Sequence, residues 1–253
     1  MATNFEMVDE IVVVTGGAGS IGQVIAETLM RAGAKVALVD LDLTRTQQVA
    51  ETIDPSGKTV RAFQADVTSP DGLKECAAAI EKDLGPVTAL AVNAGIMATT
   101  PAVHITEYEW DKINGVNMKG AFFTCQAFGS KMVQRGRGSI VLTSSTWGMV
   151  GFPERATYTA TKTGIIGIVR ALAVEWGPKG VRVNAVCPSG VETNINRDLF
   201  ARPEYRDYMF NRTPLKRFTK ATDVANAIHF LLSHGSAMTT GQALAVDGGW
   251  TAL

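Results

Sequence analysis

An apolar run, Ile11-Val12-Val13-Val14, leads directly into Thr15-Gly16-Gly17-Ala18-Gly19-Ser20-Ile21-Gly22, and an amphipathic stretch, Val24-Ile25-Ala26-Glu27-Thr28-Leu29-Met30-Arg31, follows at once. A strand without polar alternation is one covered on both faces. Glycines let the chain turn tightly and approach a diphosphate, and the helix start offers unpaired N–H groups with a partial positive charge. A second strand, Lys35-Val36-Ala37-Leu38-Val39, ends in Asp40, 18 residues after Gly22. That spacing suits an acid that binds the 2′-hydroxyl of an adenosine ribose. A carboxylate there repels a 2′-phosphate, no Arg or Lys lies between Thr15 and Gly22, and Leu41 is apolar, so the expected cofactor is NAD rather than NADP. The plainer alternative for Asp40 is a solvated strand-end acid with a twin at Asp42.

Strand-like apolar runs at 11–15, 35–40, 59–64, 89–92, 139–143, 181–186 and 243–246 alternate with helix-length amphipathic stretches. This pattern predicts a doubly wound, Rossmann-like α/β fold, with a parallel seven-stranded sheet and helices on both faces. With no Pro/Ser-rich linker or repeat, the 253 residues are expected to form a single domain. No apolar stretch approaches the ~20 residues of a membrane span, and the first ten residues are mixed and acidic, unlike a secretory signal. The 24 acids balance 24 Lys and Arg, so neither nucleic acid nor an anionic membrane is indicated as a partner. Cys76, Cys125 and Cys187 show no CxxC spacing, and His104, His229 and His234 form no ligand cluster. Reduced thiols in a cytoplasmic setting, and no metal, are the expectation.

Tyr158 and Lys162 stand four apart, one above the other if the segment is helical. Free tyrosine titrates near ~10, and bringing it to ~7 takes about 4 kcal/mol of differential stabilisation, which a buried cation and a hydrogen bond can supply. With these residues in place the chain resembles the short-chain dehydrogenases/reductases over essentially its whole length. The glycine motif of that family is matched by Thr15, Gly16 and Gly22, with Ser20 where Gly or Ala is usual. Asp66-Val67, the stretch Val92-Asn93-Ala94-Gly95, Asn117, Ser145 (13 residues before Tyr158) and the Tyr158–Lys162 pair match further motifs in order. The family's Pro-Gly after the sixth strand is Pro188-Ser189 here.

The resemblance implies hydride transfer between a nicotinamide nucleotide and a small secondary alcohol or its ketone. Tyr158 would be general base or acid, and Lys162 would lower its pKa and bind the nicotinamide ribose. Ser145 would orient the substrate oxygen, with Ser144 as fallback, and Asn117 would hold a water joining Lys162 to solvent. Gly16, Ser20, Ile21 and Gly22 should surround the pyrophosphate, Asp40 the ribose, and Asp66 and Val67 the adenine. Asn93 and Gly95 belong at the end of the fourth strand, and Val191 and Thr193 beside the carboxamide. A homotetramer through the helices around 114–133 and 156–176 is implied. A ketoacyl thioester reductase using NADPH, and a fold retained for sensing or scaffolding, are the alternatives.

Three segments should shape the substrate pocket: 96–99, 146–155 and a substrate-loop segment at about 190–217, chiefly 194–216. Trp147 and Phe152 make the second largely apolar. Arg155 is the preferred candidate anchor for a carboxylate or sulfonate, followed by Arg197, Arg202, Arg206 and Arg212 of the third segment, whose plainer reading is a mobile, solvated lid balanced by Asp198, Glu204 and Asp207. Trp250 is expected at a subunit contact, at a neighbour's pocket, or packed on its own sheet.

Overall fold

The structure, a computed structural model, describes residues 5–193 and 196–252. In chain order its elements are β1 (Ile11–Thr15), α1 (Gly22–Arg31), β2 (Lys35–Asp40), α2 (Leu43–Ile53), β3 (Val60–Gln64), α3 (Pro70–Leu84) and β4 (Ala89–Val92). Then come α4 (Glu107–Asn114), α5 (Ala121–Arg135), β5 (Gly138–Thr143), α6 (Ala156–Trp176), β6 (Val181–Pro188), α7 (Arg197–Phe200), α8 (Pro203–Arg212), α9 (Ala221–Leu232) and β7 (Ala243–Val246). All seven strands are parallel, in the order β3-β2-β1-β4-β5-β6-β7.

The unbroken apolar runs follow from burial on both faces. Val13, Val39, Leu90, Leu142 and Val183 meet α3, α5 and α6, while their neighbours Val12, Val14, Leu38, Ala91 and Val141 meet α1 and α9. Alternate residues of a strand point to opposite sides, so each strand feeds both layers. Burying a Leu or Ile side chain contributes ~1.5–3 kcal/mol, whereas an exposed pair such as Arg31–Glu27, 2.6 Å apart, contributes under ~1 kcal/mol. The sheet is therefore held by two-sided burial and not by its surface charges. No described helix is long and apolar enough to cross a membrane.

Strand order reverses between β1 and β4, and the hydroxyl of Thr15 stitches this fork. It accepts the N–H groups of Asn93 (3.1 Å) and Ala94 (3.2 Å). Helix α2 starts on the Asp42 carboxylate, α3 on the Ser69 hydroxyl and α4 on the Thr106 hydroxyl. Helix α1 starts at Ile21 with no side-chain cap.

The expected helix over 114–133 is broken: a π-helical segment, Gly115–Gly120, joins α4 to α5. The substrate-loop segment is also not a plain loop, because α7 and α8 lie within it. Of its expected extent, Asn194 and Ile195 lie outside the described residues. Cys76, Cys125 and Cys187 are free and buried.

Candidate active site

A cleft of about 490 Å³ opens over the C-terminal ends of the strands at the β1/β4 fork, where ligands settle in open α/β sheets. Its lining contains Gly16, Ser20, Ile21, Asp40, Asp66, Val67, Asn93, Gly95, Ser145, Trp147, Arg155, Tyr158, Lys162, Val191 and Thr193. Four expected residues stand outside it: Gly22, Asn117, Phe152 and Arg197.

Each of the four has a physical reason. A Cβ on Gly22 would sit 2.1 Å from the Gly16 carbonyl oxygen, so Gly22 lets α1 press on the glycine turn and does not face the cleft. Asn117 is fully buried in the π-helical segment. Its Oδ1 accepts the Ile96 N–H at 2.8 Å, and its Nδ2 donates to the Ile96 carbonyl at 2.8 Å and to the Thr161 hydroxyl at 3.3 Å. It therefore clamps the 96–99 segment from behind. Gly95 keeps the space between it and the amine open, since a Cβ there would meet Asn117 Oδ1 at 3.4 Å and Lys162 Nζ at 3.6 Å. Phe152 stands behind Trp147, edge to face at 4.8 Å. Arg197 begins α7 beyond the cleft's edge.

At the glycine-turn end, Asp40 and Asp42 have separate roles. Asp42 caps α2 through the Arg45 N–H at 3.0 Å. Asp40 faces the cleft with both oxygens held, one by the Ala18 N–H at 3.0 Å and one by the Leu41 N–H at 2.8 Å. Asp66 is steadied by Thr68, whose N–H and hydroxyl donate to one oxygen at 2.8 and 2.7 Å. A nicotinamide nucleotide fits these groups. The start of α1 has no side-chain cap, and Ser20 and Ile21 just before it line the cleft, where an anionic diphosphate would satisfy unpaired N–H groups. The fixed Asp40 carboxylate would be placed to accept ribose hydroxyls.

At the opposite end, Tyr158 and Lys162 project from α6 and Ser145 from the end of β5. The Ser145 hydroxyl accepts the Trp147 N–H at 3.2 Å and lies close enough to the Tyr158 phenol to favour its ionised form. The neighbouring Ser144 instead donates to the Lys162 carbonyl at 2.7 Å, tying β5 to α6, which removes it as the orienting hydroxyl. Lys162 is 4 % exposed and donates to the Thr143 carbonyl at 2.8 Å. Burial pushes its ammonium down to about 8.

The phenol differs from the sequence expectation. Burial pushes Tyr158 up to about 12, against the lowering effect of the Ser145 hydroxyl and the Arg155 charge. Lys162 Nζ lies 5.5 Å from the Tyr158 ring centroid and spends its hydrogen bond on Thr143. In this state Tyr158 is a protonated phenol, ready to donate to a ketone oxygen.

Trp250 lies in its own chain's wall rather than on a neighbour. It is 2 % exposed, its ring is 6.0 Å from Trp147, and the Arg212 guanidinium sits 4.5 Å over it. Trp147, Met209 and Trp250 form a small separate core against which Phe152, Tyr158, Tyr205 and Phe218 pack.

Sequence reasoning missed several lining residues. Tyr205 arrives from α8, and Arg45 from α2 stands at the Asp40 end. Asn196 fastens the loop after β6: its Oδ1 accepts the Thr193 N–H at 2.8 Å and its Nδ2 donates to the Val191 carbonyl at 2.8 Å. A signal existed for Arg45 alone, as the first cation after Asp40.

The family described as enoyl-(acyl carrier protein) reductase matches residues 16–251. The chain is similar to 2-(S)-hydroxypropyl-CoM dehydrogenase 3 of Xanthobacter autotrophicus, with 37% identity covering 97% of this chain and 98% of that one. It is similar to D-threitol dehydrogenase of Mycolicibacterium smegmatis, with 32% identity over 98% and 95% of the two chains. A crystal structure of a gluconate 5-dehydrogenase from Burkholderia cenocepacia in complex with NADP and tartrate superposes with a TM-score of 0.96 at 28% identity, covering 99% of this chain and 98% of that one.

Proposed function

Because the chain belongs to the short-chain dehydrogenase/reductase family, enzymes acting on CH–OH groups, we propose that it is an NAD(H)-dependent oxidoreductase interconverting a small secondary alcohol and its ketone. The observation that carries this is the convergence of Ser145, Tyr158 and Lys162 in one cleft whose far end is the pinned Asp40 carboxylate. Gly16, Ser20, Ile21, Asp40, Asp66, Val67, Asn93, Gly95, Val191 and Thr193 would hold the nucleotide, with Lys162 and Tyr158 at its reacting end. The nucleotide, when bound, supplies the hydride acceptor or donor.

The chain's own residues do the rest. Tyr158 gives its proton to the ketone oxygen in reduction and takes the alcohol proton in oxidation, a role that asks for hydrogen-bond reach first and pKa second. Ser145 hydrogen-bonds that oxygen and fixes its position against Tyr158. Lys162 supplies a cation beside the phenol, and its buried ammonium can pass a proton toward Asn117 across the gap at Gly95. Clustered rings at Trp147 and Tyr205 exclude water from the transfer.

A preference for NAD over NADP follows from Asp40. Both of its oxygens are engaged by backbone, so the carboxylate cannot swing away from a 2′-phosphate. NADP(H) is the second reading, favoured by Arg45 at the same end of the cleft and by the NADP of the gluconate 5-dehydrogenase complex. A homotetramer remains part of the proposal, supported by the exposed Trp110, Phe122 and Val174 on α4, α5 and α6.

A panel of secondary alcohols, polyols and hydroxy acids, assayed by absorbance of the reduced cofactor with NAD⁺ and NADP⁺ in parallel, tests both statements. Turnover with a higher kcat/KM for NAD⁺ is expected. A higher value for NADP⁺ overturns the cofactor assignment, and no turnover with either nucleotide overturns the activity.

A further inference from the structure

Among the described residues, Arg155 makes no ion pair. It is 3 % exposed, lines the cleft, and precedes Tyr158 by one helical turn. A guanidinium carries five N–H donors. Among the described residues, the one hydrogen bond of this side chain is from Nη1 to the Glu154 carbonyl at 3.2 Å, and no carboxylate pairs with it. Its other company is largely aromatic, the Phe152 ring 6.0 Å away with Tyr205 and Tyr158 close enough to feel its charge, while the Glu154 carboxylate attracts it and Arg202 repels it. Three other arginines of this half of the molecule are already engaged. Arg206 pairs with Glu192 at 3.6 Å, Arg212 lies over Trp250, and Arg217 pairs with Asp223 at 2.6 Å.

A buried cation without a partner is costly, and burial already disfavours its charge. The backbone nonetheless holds it there. Glu154 adopts a left-handed φ of 60°, a strained state for a residue other than glycine. Its carbonyl accepts both Arg155 Nη1 and the Thr100 N–H, the latter at 3.1 Å. On the same wall, Trp147 is 6 % exposed and its buried indole N–H has no acceptor. Two side chains with unanswered donors thus share the cleft lining with Tyr158.

We propose that the substrate is a short secondary alcohol bearing a carboxylate or sulfonate a few bonds from its carbinol carbon, held by Arg155 with the Trp147 N–H as the neighbouring donor; this rests on the dehydrogenase activity proposed above. The offset of one helical turn between Arg155 and Tyr158 limits the substrate to a small one.

The probes are 3-hydroxybutyrate, 2-hydroxypropanesulfonate and the neutral methyl 3-hydroxybutyrate, assayed with the whole enzyme and NAD⁺. Wild type is expected to favour one of the anions over the ester by roughly 100-fold in kcat/KM, and which anion wins identifies the group. Arg155→Met should collapse that ratio through KM, and Arg155→Lys should restore part of it. A wild-type ratio near one, or a ratio unchanged in Arg155→Met, overturns the proposal. If Arg155→Met turns over none of the probes, titration of the protein–NADH complex with butyrate and ethanesulfonate decides: weaker binding than wild type supports the proposal and equal binding overturns it. Tyr158-dependent oxidation of the ester or a neutral polyol, with neither anion used, sinks the anion site while the dehydrogenase activity stands. Failure to oxidise any alcohol sinks the activity instead.

Discussion

The two ends of the cleft are built by different means. The nucleotide end is made from backbone: the glycine turn, the uncapped start of α1, and strand ends stitched by Thr15 and Asn93. The reacting end is made from side chains that meet from distant places, with Trp147 after β5, Tyr205 in α8 and Trp250 after β7. Backbone sites depend on few substitutable atoms and are written locally in the sequence. Side-chain walls can be repacked, which is where relatives with one frame and different named substrates can diverge.

The largest expected effect separates the ends most cleanly. Tyr158→Phe removes the proton that the reaction moves, and should lower kcat by roughly 10³-fold or more. NADH binding, followed by fluorescence, should fall far less. Comparable losses in both would mean that the phenol belongs to nucleotide binding and not to chemistry.

Next comes the aromatic wall. Trp250→Ala empties a site that is 2 % exposed and should cost about 3–5 kcal/mol of stability, read by denaturant unfolding. In the folded fraction KM for the alcohol should rise more than KM for the nucleotide. A loss under ~1 kcal/mol would show that the wall can close on itself.

The smallest effect joins the two ends through Lys162. Burial pushes its amine down to about 8 in the folded protein, against an ordinary value of 10.5. Between those values the unfolded chain binds the extra proton, so the wild type gains stability as pH rises through this window and the burial penalty is fully present below about 8. The stability difference between wild type and Lys162→Met should therefore move in favour of wild type by on the order of 3 kcal/mol from pH 7 to pH 10.5. Unfolding curves at a series of pH values measure it. A flat difference would mean that the amine keeps its ordinary pKa.

Legibility followed the same division. The seven strand positions could be read from apolar runs, because two-sided burial leaves little room for polar residues. The ends moved by a residue or two for local reasons. β3 starts at Val60, and the Asp54 carboxylate ties down its entry by accepting the N–H groups of Thr59 at 2.6 Å and Val60 at 3.1 Å. β6 runs on to Pro188, which stands opposite Val246 while the next N–H, that of Ser189, donates to the Val246 carbonyl at 3.3 Å. The Ser145, Tyr158 and Lys162 set was legible from spacing, whereas the pKa of Tyr158 was not, since desolvation by Trp147 and its neighbours is a property of packing. Asn117 was picked out as a site residue from its motif, whereas its place in a π-helical segment, bonded to Ile96 and Thr161, was not legible. Nothing local in the sequence announces that Trp250 stacks on Trp147, and the two short helices between 196 and 212 were hidden in a stretch of mixed charge.

Asp40 carries a lesson for anyone wishing to re-engineer nucleotide choice. Its carboxylate is also the acceptor that steadies the Ala18 amide, so an alanine there would discard charge and slacken the turn in one stroke. Asparagine, which keeps a carbonyl acceptor without the negative charge, is the better starting residue. Designs that treat charge and scaffold at this position as separable begin from a false premise.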